Sequence, residues 1–501
     1  MHGEYSRVDS SPFKLPYLSS SSIPVKKVGI NRPHSGGVGQ RPSDAWSHDD
    51  ERAESGYAFM LSEEGREMED VVIVGAGIAG LATAVALKRV GVEALVLEKS
   101  DGLRTSGAGL NLFPNAWFAL DALGISHKLT SLYAPCKRGY ITNIDTGKTE
   151  EVSFTKMGRT EVSQELRGVH RHVLLESLAE ELPKDAFRFS SRISSIVTQP
   201  QGSSSIVVLH MEDGTKIKTK ALIGCDGVHS VVARWLGLSA PVSSGRWAAR
   251  GLATFPEGHR FNYEFQQFIT ADKRAGFVPL NDKELYWFLF CKSTSCKGKD
   301  MRGNTELIQR EVIESLAGDL PQVFSIIVQH SDLSTLSWAP VVFRFPWDMV
   351  FRNVSQGNIT VAGDAMHPMI PYLGQNECLA LEDAVVLGQQ FGDLIIREKG
   401  VLTREVAGAL RRYAQQRRWR AAGVMTCSYL SSIEGSGWLR KFLRDMVFNR
   451  LLLRRYINNV IHFDCGKLPC ISSNMTELEN ERNTYHQVPI SIEEMEVRTN
   501  I

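Results

Sequence analysis

A glycine-rich turn near residue 75 holds the first residues whose types and spacing indicate chemistry. It reads Gly75-Ala-Gly77-Ile-Ala79-Gly80, and the acid Glu98 follows eighteen residues after the last glycine. In such a turn the first glycine permits a tight bend, the second lets the backbone approach a pyrophosphate, and the third lets a helix pack on a strand. Backbone amides at the helix N-terminus then face the diphosphate. A carboxylate at Glu98 accepts hydrogen bonds from both hydroxyls of a ribose, which favours FAD or NAD over NADP.

A second turn, in residues 221–235, has an acid and a glycine directly after an apolar stretch. The segment reads ALIGCDGVHSVVARW, which predicts a strand, then Asp226-Gly227, then Ser230 and Arg234 on the following turn and helix. No second G-x-G-x-x-G occurs in the chain. Enzymes with two separate dinucleotide domains therefore fit the sequence poorly.

The third turn lies in residues 359–387, ITVAGDAMHPMIPYLGQNECLALEDAVVL. It predicts a strand, Gly363-Asp364, a loop and a helix from about Glu377. Asp364 is placed to accept hydrogen bonds from hydroxyl groups, Pro371 stiffens the loop, and Gly374 permits backbone to approach a flat ring. A helix that begins beside such a ring points positive amides at it, which stabilises an anionic reduced cofactor.

The elements that must position the first turn form a predicted βαβ unit. Residues 71–74 predict a buried strand, 81–90 a helix and 92–98 a second buried strand, about thirty residues in all. Residues 71–87 carry no charge and approach the length of a membrane span. Three glycines within six positions favour the βαβ interpretation over a membrane anchor.

Taken in order, the three segments resemble the single-component FAD-dependent monooxygenases of the aromatic-hydroxylase family. The resemblance covers about residues 70–470 and is to p-hydroxybenzoate and salicylate hydroxylases, and especially to plant FAD monooxygenases and zeaxanthin-epoxidase-like proteins. It implies an α/β fold (α+β overall), with a Rossmann-like FAD-binding domain, an antiparallel-sheet substrate domain and C-terminal helices. It also implies FAD as cofactor, NADH or NADPH as co-substrate, and a flavin C4a-hydroperoxide that transfers one oxygen atom of O2.

The resemblance assigns roles to particular residues. The cofactor-binding set comprises Gly75, Gly77, Ala79, Gly80, Glu98, Arg104, Arg171, Asp226, Gly227, Gly363, Asp364, Gly374 and Glu377. Ser230 and Arg234 join Asp226 and Gly227 as residues implicated in nicotinamide binding. Pro371, Gly374 and Gln375 are implied to lie near the flavin, with no catalytic residue certain. On the sequence alone, Arg104 and Arg171 could equally be solvated surface charges, and His367 is either an acid or base beside the ring or a structural residue that bonds the loop.

The loop departs from the family at two positions. Relatives typically read G-Q-G-G-C, whereas this chain has Gly374, Gln375, Asn376, Glu377 and Cys378. Side chains at the two altered positions must point away from a flavin or crowd it. A carboxylate at Glu377 would raise the cost of reducing the ring. Alternatively, Glu377 is a first-turn acid that faces solvent and is favoured by the helix dipole.

The predicted organisation divides the chain into eight segments. They are a disordered extension (1–69), a first FAD-binding segment (70–135), a substrate-domain segment (136–167), a second FAD-binding segment (168–240), the substrate domain (241–345), a third FAD-binding segment (346–400), C-terminal helices (401–470) and a disordered tail (471–501). Between residues 245 and 296, short apolar runs around Asn281 predict antiparallel strands with a tight connection. Trp287 there either stacks on a ligand or packs within the sheet.

Composition narrows the possible partners and compartments. The 501 residues have a formal net charge of +1, which gives no whole-protein field to attract nucleic acid. The 8 cysteines lack a C-x-x-C pair, so we expect reduced thiols and no metal site. A Ser-rich, basic leader has some transit-peptide character, so the predicted location is cytoplasmic, with the chloroplast as the alternative. Residues 438–463 are basic and amphipathic, and either pack on the protein or touch a membrane surface.

Three functions remain open on the sequence. The first is a monooxygenase that uses NAD(P)H and O2 to hydroxylate or epoxidise a small aromatic or terpenoid substrate. The second is a flavin-dependent reductase or dehydrogenase on the same fold. The third is a non-catalytic flavin-binding protein, because the loop at Asn376 and Glu377 departs from the family.

Overall fold

The computed structural model describes residues 68–103, 107–154, 165–201, 204–295, 301–398, 405–432 and 459–470. The predicted disorder of the leader and tail lies outside these residues, as do Arg104 and most of the basic stretch 438–463. All elements below belong to one compact unit that begins at Glu67. The predicted domain boundaries stay a prediction.

An eight-stranded, mostly parallel sheet carries the three turns among the described residues. Its strands are β1 (Glu69–Val74), β2 (Ala94–Leu97), β7 (Phe187–Arg188), β8 (Ile193–Gln201), β9 (Ser204–Met211), β10 (Lys216–Gly224), β16 (Ser355–Gln356) and β17 (Ile359–Val361). Their central order is β16-β17-β10-β1-β2-β7, and β8 and β9 extend the sheet from β10. Val71, Val72 and Ile73 of β1 have no exposed surface, because parallel neighbours flank the strand and helices cover it.

The predicted βαβ unit is present, with shifted boundaries. Its helix, α1, runs over Ile78–Arg89, three residues earlier than predicted, and its second strand is shorter than the predicted 92–98. The helix starts early because the amide of Leu81 already donates to the carbonyl of Gly77 at 2.9 Å. The last glycine of the turn therefore belongs to the first helical turn.

A seven-stranded sheet stands beside the first sheet. Its strands are β4 (Arg138–Asn143), β5 (Thr149–Ser153), β11 (Val242–Thr254), β12 (Phe265–Ile269), β13 (Lys273–Pro279), β14 (Glu284–Lys292) and β15 (Ser337–Phe343). They lie in the order β15-β11-β14-β13-β12-β4-β5, antiparallel except for the pair β12 and β4. The predicted tight connection is the hairpin between β13 and β14 around Asn281. A separate two-stranded ribbon pairs β3 (Gly109–Leu112) with β6 (Arg167–His170).

Helices cover both sheets, and two long ones shape the site. The helix predicted from about residue 377 begins one residue earlier, as Asn376–Arg397. The helices are α1 (Ile78–Arg89), α2 (Pro114–Leu123), α3 (Ser126–Thr130), α4 (Arg171–Ala179), α5 (Val231–Trp235), α6 (Thr305–Glu311), α7 (Gln322–Gln329), α8 (Pro346–Phe351), α9 (Asn376–Arg397) and α10 (Val406–Ser432). A π-helical turn covers Val312–Leu316, and 3-10 turns cover Lys184–Ala186, Leu333–Thr335, Gly363–Ala365 and Pro371–Leu373.

The observed architecture confirms the predicted fold class. Helices lie against a mostly parallel sheet, a second and mostly antiparallel sheet is present, and helices follow it in the chain. Over the stretches of chain that the structure describes, no helix has the length and apolar character needed to span a bilayer.

Candidate functional site

The first glycine turn forms the floor of a cleft of about 590 Å³ whose lining includes several charged side chains. Gly75 has φ of +103°, and a Cβ there would lie 2.5 Å from the Cys225 carbonyl oxygen. A Cβ on Gly80 would lie 1.8 Å from the Gly75 carbonyl oxygen. Gly77 has no atom within 4 Å of its hypothetical Cβ, although it lines the cleft. Packing therefore requires two of the glycines, while Gly77 leaves room in the cleft for a ligand.

Glu98 lies at the end of β2 and lines the same cleft. Its Oε2 accepts from the Ala76 amide at 2.9 Å, and its Oε1 accepts from the Ser100 amide at 3.0 Å. The carboxylate is thus held in place by the glycine turn itself. A carboxylate that is fixed in this way has its orientation set before a ribose binds.

The Asp226 turn lies directly beside the first turn and lines the same cleft. Asp226 Oδ2 accepts from the Val231 amide at 2.6 Å, and its Oδ1 is buried without a hydrogen-bond partner among the described residues. Burial raises the pKa of the Asp226 carboxyl group. Gly227 also lines the cleft, whereas Ser230 caps α5 by accepting from the Ala233 amide at 2.8 Å.

Two other predicted residues of these elements lie in different environments. Arg234 is exposed on α5 and does not line either described cavity, so the structure does not bring it to the other predicted residues. Arg171, the first residue of α4, lines the cleft, and its Cδ lies 3.3 Å from the Cβ position of Gly107. The predicted role of Arg104 lies outside the described residues.

The third turn packs directly on α1. Gly363 has φ of +59°, and a Cβ there would lie 2.6 Å from the Ala79 Cβ. This contact explains the small residue at 79, which lines the cleft beside it. The next side chain, Asp364, is exposed and lines both the cleft and a second cavity. Its carboxylate can therefore accept hydrogen bonds from a ligand in the cleft.

The loop that enters α9 contains Asn376 and Glu377, the two positions at which the sequence departs from the G-Q-G-G-C pattern. Gly374 has φ of +60°, and a Cβ there would lie 2.8 Å from a ring carbon of Phe113. Asn376 Nδ2 donates to Asp364 Oδ1 and to the Met369 carbonyl oxygen, each at 3.3 Å. Asn376 therefore ties the start of the helix to the preceding loop.

Glu377 is half-buried, and its side chain lines both cavities. Burial raises the pKa of its carboxyl group, and Arg250 on β11 opposes this increase. The two side chains make no ion pair within 4.0 Å in the described stretches of the chain. A carboxyl group and a guanidinium group therefore face the same space without neutralising each other by contact.

A buried charged network holds this loop from behind. Arg417 of α10 donates to Asp383 Oδ1 at 2.6 Å and to Glu382 Oε2 at 2.7 Å. Arg420 donates to both oxygens of Glu382, at 2.7 and 3.0 Å. Burial alone would raise the pKa of Asp383, but His367 and Arg417 outweigh it and hold that pKa at about 2. Arg417 and Arg420 likewise outweigh burial and lower the pKa of Glu382, so both carboxylates in the second turn of α9 are kept ionised in the interior.

His367 belongs to this network. Its Nε2 lies 2.7 Å from Asp383 Oδ2, which also accepts from the Gly363 amide at 2.8 Å. The ring has no exposed surface and does not line either described cavity. This placement favours the structural role over that of an acid or base beside the ring.

The network also fixes Gln375. Asn115 Nδ2 donates to Glu382 Oε1 at 2.7 Å and to Gln375 Oε1 at 2.9 Å. Because the carboxylate can only accept, the Asn115 nitrogen must be the donor in both bonds. The Gln375 amide nitrogen consequently remains a buried donor with no partner among the described residues.

A second cavity, of about 370 Å³, lies between the seven-stranded sheet and the loop that leads from Asp364 to Glu377. Its walls are rich in aromatic side chains: Phe113, Phe154, Phe265, Tyr286, Phe288, Phe290 and Tyr372. Trp287 points to the opposite face of β14, where it is fully buried and donates to Ser331 Oγ at 2.8 Å. The packing alternative therefore holds for Trp287, while its neighbours Tyr286 and Phe288 face the cavity. Pro371 and the buried Val460 and Ile461 complete one side.

The cleft and the aromatic cavity share five lining residues, which we call the junction: Val228, Arg250, Asp364, Asn376 and Glu377. Arg250 was missed in the sequence. Residues two apart in a strand share a face, and both Ala248 and Arg250 of β11 line the aromatic cavity. This alternation along the strand was the only signal in the sequence that could have pointed to Arg250. Its Nε is buried without a hydrogen-bond partner among the described residues.

The cleft fits a flavin dinucleotide. Gly77 leaves open space at the helix N-terminus, Glu98 presents a fixed carboxylate, and Asp226 Oδ1 is a buried acceptor without a partner among the described residues. The cleft continues to the junction, where the aromatic cavity begins. One long ligand could therefore contact the glycine turn at one end and the second cavity at the other.

Comparison with known proteins agrees with this geometry. The family model described as FAD binding domain matches residues 68–428. Monooxygenase 2 of Arabidopsis thaliana is 38% identical over 423 residues, which is 81% of this chain and 100% of that protein. The 3-hydroxybenzoate 6-hydroxylase of Polaromonas naphthalenivorans is 31% identical over 328 residues, 64% of this chain and 78% of that protein. The crystal structure of Klebsiella pneumoniae HpxO with FAD and uric acid has a TM-score of 0.64, 22% identity, and coverage of 80% of this chain and 98% of that chain.

The matched region contains all three turns, both sheets and most of α10. FAD is the cofactor to which the cleft and the family model both point. The chain therefore belongs to the FAD-dependent monooxygenases of the aromatic-hydroxylase family.

Proposed function

We propose that this monooxygenase uses NADH or NADPH and O2 to hydroxylate or epoxidise a small aromatic or terpenoid substrate. The observation that carries the proposal is the aromatic cavity of about 370 Å³ that opens onto the cleft at the junction. Its size lies within the range of about 300–1,000 Å³ that is usual for small-molecule sites. Its ring-rich walls favour a flat apolar body, and its polar groups at the junction would orient one polar substituent.

The residues of the cleft would hold FAD along its length. Gly75, Gly77 and the N-terminus of α1 would meet the diphosphate, Glu98 the adenosine ribose, and Asp364 the ribityl chain. When bound, FAD supplies hydride acceptance from the nicotinamide and oxygen activation at its C4a atom. Arg171, Asp226 and the other cofactor-binding positions keep their assignments as proposals.

The side chains and backbone of the protein would orient the substrate, exclude water from it and stabilise charge at the junction. Aromatic walls would exclude water from the cavity. Exclusion of water strengthens the polar interactions inside the cavity and protects reactive intermediates from side reactions with water. The N-terminus of α9 points positive amides towards the junction, so it would stabilise negative charge there. The network behind it keeps that helix end fixed.

Anaerobic stopped-flow reduction of the FAD-loaded protein tests the proposal. A panel of phenols, benzoates and terpenoids is added one at a time with NADH or NADPH, and flavin bleaching is followed. We expect one compound class to accelerate bleaching, and subsequent admission of O2 to yield an oxygenated product. NAD(P)H oxidation without oxygen consumption would instead identify a reductase or dehydrogenase.

A non-catalytic flavin-binding protein is the second candidate, and the junction supplies the observation that favours it. Asn376 and Glu377 occupy space where relatives have glycine, and Glu377 lines both cavities. If these side chains block turnover, NAD(P)H will not bleach the bound flavin with any compound of the panel. Bleaching that appears only in the Asn376→Gly and Glu377→Gly double variant would make the loop the cause.

We infer a cytoplasmic location, with the chloroplast as the alternative, and no nucleic-acid partner. The near-neutral composition supports the second statement, and the Ser-rich leader keeps the chloroplast alternative open. Imaging of fluorescent fusions with and without residues 1–67 tests the location. Relocation of the signal on removal of the leader would favour import.

A further inference from the structure

The junction contains an ionisable group that the family's chemistry does not require. Glu377 stands in the first turn of α9, where the G-Q-G-G-C pattern of relatives has glycine, and it lines both the cleft and the aromatic cavity. Its carboxyl group makes no hydrogen bond or ion pair with another side chain of the described residues. A flavin ring at the junction would therefore have this carboxyl group as a neighbour.

Charged and titratable groups face Glu377 from each neighbouring element. Arg250 projects from β11 and Arg171 from α4, and both favour the ionised carboxylate. Asp364 of the preceding turn favours the neutral acid, as does burial, which is the largest influence. Tyr286 of β14 also senses the charge on Glu377. The two arginines therefore oppose burial and Asp364, and burial prevails, so the pKa of Glu377 lies above its ordinary value.

We propose that Glu377 takes up one proton when the neighbouring flavin is reduced and releases it when the flavin is reoxidised. The inference rests on the proposed placement of the flavin ring at the junction. Hydride from a reduced nicotinamide brings two electrons and one proton to the ring, and the additional proton comes from solvent and bonds to a Glu377 carboxylate oxygen. On reoxidation without substrate, two electrons and one proton pass from the flavin to O2, which takes a second proton from solvent to give H2O2. The O–H bond of Glu377 then breaks, and its proton returns to solvent.

The physical cause is repulsion between two negative charges. A two-electron-reduced flavin that gains one proton carries one negative charge more than the oxidised form. A second negative charge at the junction raises the free energy of the ionised Glu377 and so increases its proton affinity. The coupling is reciprocal, so an ionised Glu377 must make the flavin harder to reduce.

Equilibrium reduction with a reference dye over a series of pH values tests the inference without substrate or nicotinamide. At low pH Glu377 is protonated in both redox states, so wild type and Glu377→Gln should have the same midpoint potential. As pH rises, the wild-type potential should fall more steeply, by about one additional proton per two electrons. Above that window the wild-type flavin should stay harder to reduce than the flavin of Glu377→Gln. Parallel or coincident curves over the whole pH range would overturn the inference.

Two further variants and one spectroscopic measurement serve as controls for the titration. Asp393→Asn changes an exposed acid on the same helix, outside both cavities, and should leave the wild-type curve unchanged. Glu377→Asp keeps a carboxyl group, so its midpoint potential should still diverge from that of Glu377→Gln as pH rises. Reduced-minus-oxidised infrared difference spectra of wild type should show a new protonated-carboxyl band, which needs no variant to fold. Absence of that band throughout the pH series would also overturn the inference.

The outcome is distinguishable from failure of the proposed function. A flavin protein that never oxygenates a substrate can still show the diverging curves. A monooxygenase that forms product can equally show coincident curves, which would remove Glu377 from proton exchange and leave the proposed function intact.

Discussion

The helices α1 and α9 both begin at the cofactor cleft, and their first turns are built in contrasting ways. The entrance to α1 consists of Gly75, Gly77 and Gly80, and no side chain caps the helix. The entrance to α9 carries Gln375, Asn376 and Glu377, and a buried ionic network lies behind it. The first entrance can recognise a diphosphate through backbone alone, whereas the second places polar side chains where the two cavities meet. We therefore propose that α1 makes a diphosphate contact common to the family, and that the side chains particular to this chain act at the start of α9.

The largest effect is expected from the support of the α9 entrance. Arg417→Met leaves Glu382 and Asp383 as buried charges with reduced compensation, which typically costs about 3–5 kcal/mol. We expect the free energy of unfolding, measured by chemical denaturation, to fall by that amount. Arg411→Met, at an exposed position of the same helix, is the matched control and should change stability little. Equal stability of the two variants would show that the network does not hold the entrance.

At the α1 entrance, the effect of replacing a glycine by alanine should depend on the space around that glycine. Gly80→Ala places a Cβ 1.8 Å from the Gly75 carbonyl oxygen, so the turn must shift. Overpacking of this kind costs about 1–3 kcal/mol, and FAD retention should be lost with it. The matched Gly77→Ala meets no atom within 4 Å and should fold like wild type while it binds FAD more weakly. Thermal unfolding and flavin absorbance after gel filtration separate the two effects, and a reversed order would contradict this account of the glycines.

The two acids of α9 should give stability profiles of opposite sign. The pKa of Asp383 is about 2 against an ordinary 3.8, so its stabilising contribution is present above pH 4 and is lost as pH falls towards 2. Asp383→Asn should therefore flatten the dependence of unfolding free energy on pH in this acid window. Burial raises the pKa of Glu377, so its contribution is present below the ordinary glutamate pKa and is lost as pH rises. In Glu377→Gln the free energy of unfolding should accordingly decline less as pH rises above the ordinary glutamate pKa. Chemical denaturation at a series of pH values distinguishes this effect from that of Asp383→Asn.

The smallest effect is expected at Asp364, which we place against the cofactor and whose side chain accepts one long hydrogen bond, from Asn376 at 3.3 Å. Asp364→Ala removes an exposed carboxylate, so thermal stability of the apoprotein should change little. Loss of hydrogen bonds to a ribityl chain should weaken FAD binding about tenfold, which corresponds to about 1.4 kcal/mol. Fluorescence titration of the apoprotein with FAD measures the change. Unaltered affinity would remove Asp364 from the cofactor site.

The α1 entrance was predictable because its information is local. The glycine spacing, the flanking apolar runs and Glu98 lie within about thirty residues, and the structure places them together. Only the boundaries differed, since Gly77 already accepts the first helical hydrogen bond. The strand after residue 359 and the helix near residue 377 were likewise predicted from local patterns.

The α9 entrance was predicted less completely because its contacts join distant regions of the chain. Arg417 meets Glu382 across 35 residues, and Asn115 meets Gln375 across 260 residues. A local sequence pattern cannot indicate contacts between residues so far apart in the chain. The orientation of Glu377, which the sequence left open between solvent and flavin, depends on the second sheet, because Arg250 and Tyr286 face it from there.

Turnover of the FAD-loaded protein under ¹⁸O₂, with the compound that most accelerates anaerobic bleaching, tests the central claim most directly. We expect one ¹⁸O atom in the product for each NAD(P)H oxidised and each O2 consumed. If the flavin is bleached by NAD(P)H while neither oxygen consumption nor labelled product appears, the chain is a reductase and the account of its junction as an oxygenation site is wrong.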